Sequence, residues 1–245
     1  MKIAIIETGI PPEGLDRAHG TYPDMFRAML APYFPDLETT DHPVYEGADL
    51  PALDAAEGFL ITGSPAGVYE DHDWIEPLAT FIRDTIAAEK PVAGICFGHQ
   101  IMAHALGGTV RKSDKGWGAG IHTYEMIDTA PFMTGEALPR IACAVSHQDQ
   151  VIEAPADSVR LGGSPFCPNG ILSYAGGKGL SFQMHPEFTH EFALALMELR
   201  SDRIPDDVRA LARPGLAHGS DRETIARWIA SFFKPTYLSR EPDHG

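Results

Sequence analysis

The stretch Pro91-Val92-Ala93-Gly94-Ile95-Cys96-Phe97-Gly98-His99-Gln100 decides the fold. Residues 91–95 are a short apolar run, the pattern of a parallel strand buried beneath crossover helices. Residues 97–106 read as a helix that stops at Gly107-Gly108. Cys96 therefore falls on a strand-to-helix turn. Upstream, residues 74–90 carry Ile75, Leu78, Phe81, Ile82, Ile86 and Ala87 at three-to-four spacing, an amphipathic helix that feeds this strand. Asp73 stands where it would cap that helix. Strand candidates at 2–7 and 58–62, and a helix over 22–31 with Pro23 in its first turn, complete an alternating β/α half.

From Thr109 onward the pattern changes to shorter β segments, at 121–127, 141–146, 171–174 and 180–184, with Gly- and Pro-rich connections. Helices resume at 188–199, at 206–211, and after Ser220-Asp221-Arg222-Glu223, which has capping-box spacing. The whole predicts an α/β chain with a mostly parallel central sheet and an additional small β segment in the second half. Without a repeat, a low-complexity tract or a linker to divide it, residues 1–233 read as one domain and 234–245 as a C-terminal tail that frays.

A length of 245 residues suits one large domain and leaves no comfortable room for two catalytic ones. The formal net charge of −15, from 34 acidic and 19 basic residues, repels phosphate backbones and anionic lipid, so nucleic acid and membranes are not expected partners. Three cysteines, Cys96, Cys143 and Cys167, are too few and too scattered for a disulfide framework or a paired zinc site. A reducing compartment follows. The apolar run after Met1-Lys2 is too short for a signal-peptide core, and no stretch reaches 18 apolar residues, so the expected location is cytoplasmic.

In Gly94-Ile95-Cys96-Phe97-Gly98 a nucleophile stands between two glycines. A tight elbow forces its central residue into a strained backbone, and small residues two positions either side avoid clashes. The sulfur would be exposed at a helix N-terminus, whose partial positive charge favours thiolate. Taken alone, Cys96 could equally be a small buried hydrophobe. A second element tips the balance. Met184-His185-Pro186-Glu187 offers a base and an orienter for a thiol, and in an extended segment Glu187 would lie on the same side as His185, with Pro186 holding the turn between them.

With these motifs the chain resembles the class I glutamine amidotransferases, which carry a Cys-His-Glu triad on a flavodoxin-like three-layer fold. The resemblance covers most of the chain. Residues 94–100 match the family's nucleophile elbow and His185-Pro186-Glu187 its His-Pro-Glu element. Gly63-Ser64-Pro65 looks like the oxyanion loop, and Ser146-His147-Gln148-Asp149-Gln150-Val151 like the Ser-His-x-Asp-x-Val segment of GMP-synthetase-type members. The resemblance implies that Cys96 attacks the side-chain amide of glutamine, that the backbone N–H groups of Gly63 and Phe97 hold the oxyanion, and that His185 and Glu187 move and steady the proton. It further implies that Gln100, His147, Gln148 and Asp149 line the substrate pocket, Asp149 facing the α-ammonium; an outward-facing Gln100 and a satisfied strand-end His147 are the plainer alternatives. No cofactor is implied.

Other residues carry less. His190-Glu191 lacks the second histidine of a His-Glu-x-x-His site, so metal binding is not expected. Asp71-His72-Asp73 reads as a solvated loop, Cys143 as core and Cys167 as a loop residue without chemistry. Lys115-Gly116-Trp117-Gly118 is either a flap over the cleft or an ordinary connection.

The chain has neither a Ser-Gly-Gly-x-Asp loop nor a Walker-type motif for activating an acceptor. Three readings follow: a stand-alone GMP-synthetase-like glutaminase that releases ammonia to a separate synthetase subunit, a γ-glutamyl peptidase that needs no acceptor, and a DJ-1/PfpI-like protein without amidotransferase activity. The last generally lacks the His-Pro-Glu element. The loop over 7–22 leaves the sheet where ligands bind in open α/β folds, and is the segment expected to encode the choice.

Overall fold

The computed structural model describes residues 1–217 and 219–234; residues 235–245, nearly all of the expected tail, lie outside them. The first half runs β1 (Lys2–Glu7), α1 (Leu15–His19), α2 (Tyr22–Leu30), β2 (Glu38–Pro43), β3 (Gly58–Ile61), α3 (Ile75–Ala87), β4 (Val92–Ile95) and α4 (Phe97–Ala105). The second runs β5 (Thr109–Lys112), β6 (Gly118–Met126), β7 (Arg140–His147), β8 (Asp149–Glu153), β9 (Ser158–Gly163), β10 (Ile171–Tyr174), β11 (Gly179–Phe182), α5 (His190–Leu199), α6 (Asp206–Gly215) and α7 (Arg222–Phe233).

Strands order as β2-β1-β3-β4-β11-β10-β9-β6-β7. The run from β2 to β11 is parallel, and β10, β9, β6 and β7 extend it antiparallel. The small extra β element is the β5-β8 pair. Strand alternation makes the layers. Ile3 and Ile5 of β1 pack in one core with Phe26 and Met29 of α2 and Ile229 and Phe233 of α7. Ala4 and Ile6, pointing the other way, pack with Leu78 and Ile82 of α3 and Ile101 of α4. Each fully buried Ile, Leu or Phe contributes about 1.5–3 kcal/mol, so sheet and helices hold together through apolar burial on both faces. Cys96 N–H donates to the Phe182 carbonyl at 2.8 Å, so the ends of β4 and β11 stay side by side and deliver Cys96 and His185 to one edge.

Two caps differ from expectation. The N-cap of α3 is Trp74, without a side-chain cap bond, and its ring packs edge-on against Phe97 at 5.3 Å; aromatic packing rather than Asp73 sets the entry. At α7 the Ser220-x-x-Glu223 box does not form. Asp221 is the N-cap, and its side chain is drawn off to accept the Ala142 N–H at 2.7 Å. The capping box of this fold is Thr21 with Asp24, at α2. No described helix is long and apolar enough to cross a membrane.

Candidate active site

Cys96 has φ 54 and ψ −99, a conformation that L residues rarely adopt and that persists only when the surroundings over-determine it. They do. A Cβ at Gly94 would stand 2.4 Å from the Gly98 carbonyl oxygen, and one at Gly98 would stand 2.4 Å from the Ile61 carbonyl oxygen. Both contacts are against backbone, so neither glycine accepts a side chain. The elbow leaves Cys96 at the N-cap of α4 and in the wall of a small pocket, buried rather than exposed as the sequence suggests.

His185 and Glu187 meet by a route other than an extended strand. The last strand ends at Phe182 rather than Met184, and the chain turns through Pro186, with the Phe188 N–H donating to the His185 carbonyl at 3.3 Å. His185 Nδ1 and Glu187 Oε1 lie 2.6 Å apart, their side chains 5% and 0% exposed. Arg222, at the start of α7, donates to the carbonyls of Pro186 and Glu187 and pins the turn from outside. The Phe188 ring stacks on His185 at 3.9 Å and fixes its plane. Burial alone would lower the His185 pKa, but the Glu187 carboxylate, the Cys96 sulfur and hydrogen bonds to both raise it to about 10. The Glu187 carboxylate thus favours the protonated ring.

Gly63 sits against both groups: a Cβ there would lie 3.0 Å from His185 Cε1 and 3.7 Å from Cys96 Cβ. Its peptide is oriented by Thr8, whose hydroxyl lies 3.0 and 3.1 Å from the Thr62 and Gly63 carbonyls, while Gly98 N–H donates to the Thr62 carbonyl at 3.1 Å. With the carbonyls held from one side, the Gly63 and Phe97 N–H groups find no protein acceptor among the described residues.

The pocket holds about 90 Å³ and opens to solvent. Gln100, His147, Gln148 and Asp149 all line it. Their side chains are not all free. Gln100 Nε2 donates to the Asp149 carbonyl at 2.9 Å, and His147 Nδ1 meets the same oxygen at 3.0 Å. Burial lowers the His147 pKa to about 3, leaving a neutral ring that shapes the Asp149 backbone. Asp149 Oδ2 accepts from the Tyr69 hydroxyl at 2.8 Å, and burial raises its pKa. A larger cavity of about 520 Å³, between Pro91, Phe132 and Phe232, contains none of these residues.

Trp117 lines the pocket, so residues 115–118 run beside the cleft, where Lys115 is tied to the Pro165 and Phe166 carbonyls. The 7–22 loop supplies no lining residue; it contains α1 and leans Gly9 on Ser64 and Pro65. Cys143 and Cys167 are buried and free, and burial pushes both thiols up. No described group of three or more His, Cys, Asp or Glu is placed to hold a metal ion. Thr8, Tyr69, Gln183 and Arg200 went unread in the sequence. Gln183, two residues before His185, points its amide at Cys96 Sγ, 3.7 Å away, and could have been found by reading back along the strand. The other three come from distant segments without a motif.

The family model for glutamine amidotransferase class-I matches residues 33–197, which contain Cys96, His185 and Glu187. Gamma-glutamyl peptidase 5 of Arabidopsis thaliana is 33% identical over 150 residues, 60% of this chain and 59% of that protein. A glutamine-hydrolyzing GMP synthase of Tolumonas auensis is 31% identical over 140 residues, 55% of this chain but only 26% of its own length. The match thus spans less than two thirds of either relative. A glutamine amidotransferase from Thermotoga maritima has the same fold, with a TM-score of 0.73 over 95% of this chain and 98% of that one at 18% identity.

Proposed function

The chain belongs to the class I glutamine amidotransferases, and from that premise we propose that it hydrolyses γ-glutamyl amides, glutamine being the simplest, through Cys96, His185 and Glu187. The observation that carries this reading is the buried 2.6 Å His185–Glu187 pair beside a cysteine held at positive φ. Cys96 Sγ attacks the amide carbon, and the carbonyl electrons move onto oxygen, where the Gly63 and Phe97 N–H groups receive them. As the oxyanion collapses the C–N bond breaks, and the departing nitrogen takes the proton of the His185 imidazolium. Neutral His185 then takes a proton from water, which attacks the thioester carbon and releases glutamate and the sulfur. Glu187 keeps the ring in one orientation and stabilises its charged form.

A working thiol needs a reducing compartment, which fits three free cysteines and a cytoplasmic site of action. Residues 1–233 act as one catalytic domain in this reading. Where ammonia is the product, a synthetase partner receives it for transfer to an acceptor. A second reading, cleavage of γ-glutamyl peptides, is favoured by the surplus of cationic side chains in the pocket wall. The test is release of ammonia from glutamine and of amino acid from γ-glutamyl dipeptides by the purified protein and by Cys96→Ala. Release by the parent and none by the variant is expected; equal release by both overturns the assignment.

A further inference from the structure

Arg200 stands at the C-terminal end of α5, three residues beyond the segment that the family model matches. It lines the same pocket as Cys96 and feels the Cys96 and Tyr22 side chains electrostatically. Its Nη1 donates to Ser146 Oγ at 2.8 Å, and among the described residues no carboxylate pairs with it. The acid two residues before it in the same helix, Glu198, is taken by Arg209 and Arg213, at 3.8 and 2.6 Å. In a chain with 34 acidic residues, a partly buried guanidinium that lines the pocket and pairs with no described carboxylate is suited to receive an anionic group. Ser146 completes it: its oxygen accepts from Arg200, so its own hydroxyl proton is available to donate.

The pocket offers a separate place for an amino-acid head. Lys112 and Asp149 face each other in the β5-β8 pairing, a cation opposite an anion in one register position, as a zwitterionic α-carbon requires. The wall as a whole carries Lys112, Arg200 and Arg203 against Glu70 and Asp149. Glutamine has one carboxylate and one ammonium, which the Lys112–Asp149 pair already matches. A γ-glutamyl amino acid adds a second carboxylate, on the leaving amine.

We infer that Arg200 and Ser146 form a seat for the carboxylate of the leaving amine, so that γ-glutamyl amino acids with a free carboxylate are the preferred substrates. This rests on the reading of Cys96 as the nucleophile. The reaction balances as before, with the amino acid in place of ammonia: its nitrogen departs with the His185 proton, and water closes the cycle as glutamate is released.

The experiment compares γ-glutamylglycine, γ-glutamylglycinamide and glutamine as substrates of the parent, Arg200→Gln and Ser146→Ala. A charged hydrogen-bonded contact predicts that the parent favours the acid over the amide by about tenfold to a hundredfold in kcat/KM, carried mainly by KM. Arg200→Gln should bring the acid-to-amide ratio close to one, and Ser146→Ala should lose a smaller part of it; because Arg200 also feels the Cys96 sulfur, the ratio and not the rate on the amide is the readout. Equal losses on acid and amide, or a parent without preference, overturn the seat while leaving the nucleophile intact. A parent that hydrolyses none of the three overturns both. If Arg200→Gln does not fold, the parent's acid-to-amide ratio and Ser146→Ala still decide.

Discussion

His185 Nδ1 and Glu187 Oε1 approach to 2.6 Å across a single proline, and neither side chain is open to solvent. The carboxylate is therefore the first influence that favours a proton on an imidazole in so buried a position.

Replacing Glu187 by Gln removes the charge and keeps the shape. The His185 pKa should fall from about 10 by several units, read from the ring carbon resonance over a pH titration. Turnover should drop by about 10²–10⁴-fold. Stability should follow. With a folded pKa of about 10 against an ordinary 6.5, the pair stabilises fully below pH 6.5 and is lost as pH rises through 10. Urea midpoints of the parent should fall between pH 7 and pH 10 more than those of Glu187→Gln.

Gly98→Ala places a methyl 2.4 Å from the Ile61 carbonyl oxygen, against backbone that cannot rotate away. We expect a loss of about 1–3 kcal/mol in urea unfolding and a larger proportional loss of activity, because α4 moves away from β3 and carries the Cys96 turn with it. Unchanged stability would mean that the elbow is looser than described.

Glu7, at the end of β1, acts in the same sense as His185 over a lower pH range. Burial and then the neighbouring Asp41 charge raise its pKa to about 7, so the folded chain holds this proton where the unfolded chain has lost it. Its contribution to stability falls as pH rises from 4.5 to 7 and stays low above that. Glu7→Gln should therefore raise the melting temperature at pH 8 by a few degrees and change it little at pH 4.5.

The elbow was legible because its geometry demands small residues two positions either side of Cys96, and few other turns do. Gly63 was legible for the same reason, a backbone that must approach two side chains closely. The route by which His185 meets Glu187 was misread: alternation along a strand predicts the same neighbours as a proline turn, and only the structure distinguishes them. The edge strand β2, Glu38-Thr39-Thr40-Asp41-His42-Pro43, has no apolar face to announce it; it pairs in register with β1 and is tied to α2 by Arg27, which donates to Thr39 and Asp41. At α7 the local capping rule lost to a longer-range bond, since Asp221 satisfies an otherwise free N–H of β7. Arg200 belongs to neither kind of pattern. Its meaning depends on which residues are missing around it, and spacing along a chain does not record that.

The account stands most directly on the identity of the nucleophile. Treating the protein with a glutamine-mimicking electrophile and locating the adduct by peptide mass spectrometry should find one modification, on Cys96, that γ-glutamyl substrate suppresses and that parallels loss of hydrolysis. Hydrolysis that persists after full modification of Cys96, or an inactivating adduct on Cys143 or Cys167 instead, would contradict it.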